Sequence, residues 1–225
     1  MKSDALQDRI VESVYSPKLI DVGKDVAEVA FDSLLKDGIL KDLPVIGTIV
    51  AVFMAGMDIH DRIFVAKVAR FLFRLSDMPI EQRQLFEGKI EANQKLKRKV
   101  GVTLTLLLDR LDDMEKCDFV AWCFRAYLND MITFDIFRRM ASAIDGGFVE
   151  DLKAICAEGI NQTEEGVDLL FNLSKTGFVE FRTGDIKGTW NEIGSVKYSL
   201  SPLGLQFVTI IRAIANAPEG PSHAY

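Results

Sequence analysis

The stretch from Leu43 to Met57, LPVIGTIVAVFMAGM, carries no charge, is bounded by Asp42 and Asp58, and is the most apolar run in the chain. As a helix rising 1.5 Å per residue it covers roughly 22 Å. A bilayer core asks for about 30 Å and around 20 residues. The stretch is therefore too short for a comfortable span and must hide its surface in another way. Pro44 suits the first turn of a helix, where a missing N–H costs nothing. Gly47, Ala51 and Ala55 then recur every four residues and lay a small-residue stripe along one face, which lets a second backbone come close. We read the stretch as an inner helix wrapped by others, with an interfacial or re-entrant membrane segment as the alternative.

The residues that follow are of a different kind. Over 59–75, IHDRIFVAKVARFLFRL, apolar positions alternate with Arg62, Lys67, Arg70 and Arg74, and Asp61 is the one acid, leaving a local charge of +3. A basic amphipathic helix fits either a membrane surface or a bundle edge whose charges meet acidic neighbours. The bundle edge is the plainer expectation.

At 225 residues the chain can bury a proper core, as one large domain or two small ones. Its three cysteines, Cys117, Cys123 and Cys156, include no C-x-x-C pair, and an odd number cannot all be bridged. A reducing, cytoplasmic home is the simplest inference. The first residues, MKSDALQDRIVESV, lack the basic and then apolar pattern of a secretion signal. Of the net charge of −6, the largest share falls after residue 145, where 10 acidic residues face 6 basic ones. A nucleic-acid reader shows the opposite bias.

Periodicity predicts helices in series. The first carries Leu6, Ile10 and Val14 and stops at Ser16-Pro17. A second runs to about Lys36. Others follow at 59–75, from Pro79 to about Asn93, from Val100 to about Met114, from Asp118 to Asn129 and from Thr133 to Gly146. The run KLKRK at 95–99 reads as a solvated face or a turn. Beyond Gly147 the pattern changes. Two short helices, 148–157 and 163–175, precede strand-like alternation at 178–182 and 195–200, with a glycine-containing polar loop between. Ser201 as N-cap and Pro202 at N1 open a last helix.

The order helix, helix, strand, glycine-rich loop, strand, helix over residues 147–215, with the wording LLFNLSKTGFVEFR and VKYSLSPLGLQFV, resembles the winged-helix superfamily, in particular bacterial winged-helix regulators. That resemblance implies DNA binding through the second short helix and the wing. The residues depart from it. The helix that would enter a groove carries Glu164, Glu165 and Asp168 against Lys175, and the wing offers Lys187 offset by Asp185 and Glu192. Acids facing phosphates forfeit the neutralisation that supplies most DNA affinity. A module reused for packing or protein contact is the expectation, with Glu164, Glu165, Asp168 and Lys187 as its contact candidates.

Catalytic constellations are not apparent. His60 beside Asp61 has no nucleophile attached, and His223 lies in the last few residues. Neither phosphate-cradling glycine pattern occurs. Asp109, Asp112 and Asp113, read as one helix face with Glu115 nearby, form a weak candidate for a divalent cation through oxygen ligands. They could equally pair with Arg110, Lys116 or the 95–99 run.

These readings converge on a mainly α chain: an N-terminal multi-helix bundle over 1–145, a small α+β winged-helix-like domain over 146–215, and a flexible tail over 216–225. The expected function is a non-enzymatic interaction or regulatory protein with no cofactor, whose partner is another protein or a second copy. The alternative is an effector that associates with an anionic membrane surface, peripheral to the inner membrane, through residues 43–75. A DNA-binding transcription regulator comes third.

Overall fold

A computed structural model describes residues 2–19, 43–47, 58–157, 159, 164–183 and 196–215. The chain divides into two compact units, the second beginning at Phe134. Both are mainly helical, and the second adds a two-stranded antiparallel hairpin. Among the described residues no helix is long and apolar enough to cross a membrane.

The first unit comprises α1 (Lys2–Tyr15), α2 (Ile59–Phe73), α3 (Ile80–Glu91), α4 (Gln94–Arg110) and α5 (Lys116–Leu128). Helix α1 packs chiefly along α4, and α2 along α5. Of the apolar residues read for α1, Ile10 and Val14 are fully covered, together with Val11, while Leu6 is half-buried. Phe71 of α2, Phe86 of α3 and Phe124 of α5 meet at the centre, Phe124 lying 5.6 Å from Phe71 and 5.9 Å from Phe86 between ring centroids. Each such buried ring contributes about 1.5–3 kcal/mol. Sequence periodicity places α4 from Val100. It begins earlier, at Gln94, because the Asn93 side chain accepts a hydrogen bond from the Leu96 N–H and caps the helix there. The 95–99 run is thus the opening of α4, and Lys97 points inward to pair with Glu91 at 2.8 Å and Glu12 at 3.6 Å.

The first five residues of the uncharged stretch belong to this unit. Residues 44–47 form one helical turn, closed by the Gly47 N–H donating to the Leu43 carbonyl at 2.9 Å. Leu43, Val45 and Ile46 are buried. A helix start leaves N–H groups without partners, and here Ser13 of α1 supplies one: its Oγ accepts from the Val45 N–H at 3.0 Å while donating to the Arg9 carbonyl. Ser13→Ala strands that buried N–H, so urea unfolding should report a loss of about 1–3 kcal/mol; an unchanged midpoint rules the contact out as an anchor. Ala51, Ala55, the predicted helix ending near Lys36, and the tail from 216 lie outside the described residues.

The second unit comprises α6 (Phe134–Gly146), α7 (Val149–Ala157), α8 (Glu164–Ser174), β1 (Val179–Thr183), β2 (Val196–Leu200) and α9 (Pro202–Ala215). Sequence periodicity expects the boundary between units near residue 145. It falls instead before α6, whose buried face of Phe137, Met140, Ala141 and Ile144 belongs to the second core. The strands pair in the register Val179↔Leu200 and Phe181↔Tyr198. Phe178 and Phe207 stack with centroids 4.3 Å apart, and Leu152, Ile155, Leu170 and Leu173 are also buried in this unit.

The Thr-Gly-Phe and Ser-Pro-Leu-Gly wording has a physical basis in this unit. Gly177 turns the chain with φ of +90°, a conformation costly for any residue with a Cβ. Its carbonyl accepts from the Ser201 hydroxyl at 2.6 Å, and Ser201 Oγ in turn accepts from the Gly204 N–H at 3.0 Å, capping α9. The Ser201 N–H donates to the Phe178 carbonyl. The hairpin start and the α9 start are therefore one hydrogen-bonded knot.

Candidate functional site

Three places in the described residues gather charged or exposed apolar side chains, and each is built by a helix end or a helix face. The first is the seam between α2 and α5. The basic stripe read from residues 59–75 turns inward along it. Lys67 is buried and donates to the Asp109 carbonyl at 2.9 Å. Arg70 grips Asp118 with Nε and Nη2, both at 2.8 Å, and Arg74 Nη2 adds a third bond at 2.9 Å. The Asp118 side chain is 8% exposed. Burial pushes its carboxyl up, but the two guanidinium groups outweigh that and hold it below the ordinary carboxylate range. Arg74 also lies over the Trp122 ring at 5.7 Å. Of the four basic residues, Arg62 remains on the exposed side. Asp118, the first-turn acid of α5, was not singled out in the sequence, because pairing across helices leaves no mark in either helix alone.

The second place is the start of α2. Asp58 caps the helix, its Oδ1 accepting from the Asp61 N–H at 2.8 Å. Asp58, His60 and Asp61 bring one potential ligand atom each to within 4.8 Å of one another. His60 Nε2 stands 3.4 Å from Asp109 Oδ1, and His60, Asp61 and Asp109 border a cavity of about 200 Å³ with Leu6, Phe64, Thr105 and Leu106. The groups are wet: His60 is 71% exposed and Asp109 48%. A hydrated imidazole and carboxylates held this loosely form a solvated charge cluster. The three aspartates read as one helix face are separated. Helix α4 ends at Arg110 with Leu111 as C-cap. Asp112 pairs with Lys116 at 2.6 Å, and Asp113 accepts from the Glu115 N–H at 2.7 Å. Asp109 alone of the three faces the cavity. The helix stops before Asp112 and Asp113, so the three do not share one helix face.

Burial pushes the Cys117 and Cys156 thiols up to about 12, far from thiolate character at neutral pH.

The third place is the outer face of α8. Leu170 and Leu173 are buried, whereas Val167, Asp168, Phe171 and Lys175 are exposed, Phe171 by 51%. Lys175 Nζ lies 4.4 Å above the Phe171 ring. On β1, Phe181 is 59% exposed. Glu164 and Glu165 open the helix, and Lys187 lies outside the described residues. Phe171 and Val167 were not among the contact candidates read from the sequence. Their signal is angular: Phe171 falls on the wheel with Asp168 and Lys175, away from Leu170 and Leu173.

No protein-family model matches the chain, and neither does any curated protein or solved structure. The functional reading therefore rests on these surfaces.

Proposed function

We propose that the protein is a non-enzymatic interaction or regulatory protein, and that its second unit is a winged-helix-like module used for protein contact. The observation that carries this reading is the outer face of α8. The helix that would enter a DNA groove in such a module presents valine, phenylalanine and an aspartate to solvent, where groove binding calls for arginine and lysine. Exposed aromatic side chains flanked by a few charges are the usual anchors of protein interfaces. The pairing of Lys67, Arg70 and Arg74 within the first unit weakens the membrane alternative, since the charges that would meet anionic lipid are already engaged.

A photo-crosslinking amino acid in place of Phe171 is expected to yield a discrete protein adduct, while the same label at the exposed Arg139 of α6 yields none. Duplex DNA of random sequence at low ionic strength is expected to show no mobility shift. A shift that rises as salt falls overturns the reading in favour of nucleic acid.

A further inference from the structure

We infer that the α8 face receives the α8 face of a second copy of this chain, in an antiparallel pair about a two-fold axis; this rests on the protein-contact reading above and names the partner.

The exposed stripe of α8 is self-complementary in one orientation. Asp168 lies in the helix and Lys175 is the first residue after its end, seven residues on; the Lys175 ammonium over the Phe171 ring keeps it on the same side, and at helical rise the two stand about 10.5 Å apart along the axis. Their midpoint falls between residues 171 and 172. When two such helices lie antiparallel with Asp168 of one copy opposite Lys175 of the other, each Phe171 comes within about 0.75 Å, along the axis, of the symmetry point. The largest exposed apolar group of the face thus sits where an isologous contact needs its core. Parallel pairing would set acid against acid and base against base. Antiparallel pairing also opposes the helix dipoles favourably.

The other features of the face agree with this arrangement. Val167 precedes Phe171 by one turn and widens the apolar centre. Lys175 rests over its own Phe171 ring at 4.4 Å, at the edge of the patch, from which its flexible stem can swing to the partner's carboxylate. A single helical face buries less than the roughly 800 Å² per partner of a standard stable interface, so the pair is a weak, concentration-dependent dimer. The acid surplus of this part of the chain acts over longer distances than these contacts and is largely screened at physiological salt.

Sedimentation velocity on the full chain, from micromolar to near-millimolar, tests the pairing. The wild type should pass from monomer to dimer across that range, and Phe171→Asp should stay monomeric while keeping its circular dichroism spectrum. Asp168→Lys and Lys175→Asp should each weaken the dimer by about tenfold or more, because each change places two like-charged pairs in the contact. The double variant Asp168→Lys/Lys175→Asp should recover most of the wild-type affinity. A wild type that is monomeric throughout overturns the inference, as does a dimer indifferent to Phe171→Asp, or a double variant no better than the singles. In those cases a crosslink from position 171 to a different protein leaves the contact reading standing. Absence of both the dimer and any position-171 adduct removes the two together.

Discussion

Arg70→Met is expected to destabilise the first unit by about 3 kcal/mol or more at neutral pH, in the range found when a buried charge loses its partner. Two of the three hydrogen bonds on Asp118 come from Arg70, and the carboxylate they hold is almost wholly removed from water. Arg74 alone cannot replace a bidentate grip. The converse change is milder. Asp118→Asn keeps the side-chain volume, and the stranded guanidinium groups, 28% and 39% exposed, can still reach solvent, so about 1–3 kcal/mol is expected. The pH dependence has a definite sign. Asp118 titrates lower in the folded chain than its unfolded value of about 3.9, so its contribution is complete above that value and is lost as pH falls toward the folded one. Urea unfolding followed at pH 7 and at pH 3 should show the wild type losing this component in acid, and Asp118→Asn lacking it. An Arg70→Met midpoint equal to wild type at pH 7 would mean that the α2–α5 seam is held by its apolar contacts alone.

Gly204→Ala is expected to be at least as damaging to the second unit. A Cβ built on Gly204 would stand 2.0 Å from the Phe178 carbonyl oxygen and 2.9 Å from its carbon, and both are backbone atoms that no rotamer change can move. Helix α9 must lift away, which breaks the Ser201 bonds to Gly177 and Phe178 and parts the Phe178–Phe207 stack. Overpacking ordinarily costs about 1–3 kcal/mol; a clash with fixed backbone belongs at or above the top of that range. Hydrogen exchange should show α9 amides losing protection first. Protection equal to wild type would show that the hairpin and helix are not joined at this point.

Much of the architecture is legible because it depends on local period. The helices around Ile10, Phe86, Phe124 and Phe137, the two strands and the Ser201 cap all follow from spacing and from single start or stop residues. What escapes is decided across space. Lysine and arginine are good helix formers, so the 95–99 run extends α4 as soon as Asn93 caps it, a competition that charge alone hides. Helix α4 stops at Arg110 although the sequence permits it to continue, and this separates Asp109 from Asp112 and Asp113. The inward turn of Arg70 and Arg74 requires knowing that Asp118 lies opposite. On α8 the acid content was readable, whereas the exposure of Phe171 was not, since an aromatic residue in a leucine-rich segment is assigned to the core by default.

Arg83 carries a consequence of another kind. Its guanidinium is buried and donates to the carbonyl oxygens of Met78, at 3.2 and 2.8 Å, and of Ser16 and Ser76, both at 3.5 Å. It fastens the turn after α1 to the loop between α2 and α3 by peptide dipoles, and those dipoles take up no proton as the solution acidifies. Acid therefore loosens the joints of the first unit unequally: the α2–α5 seam gives way with its carboxylate, as do the contacts of Glu12 and Glu91, while the Arg83 latch on carbonyl groups holds.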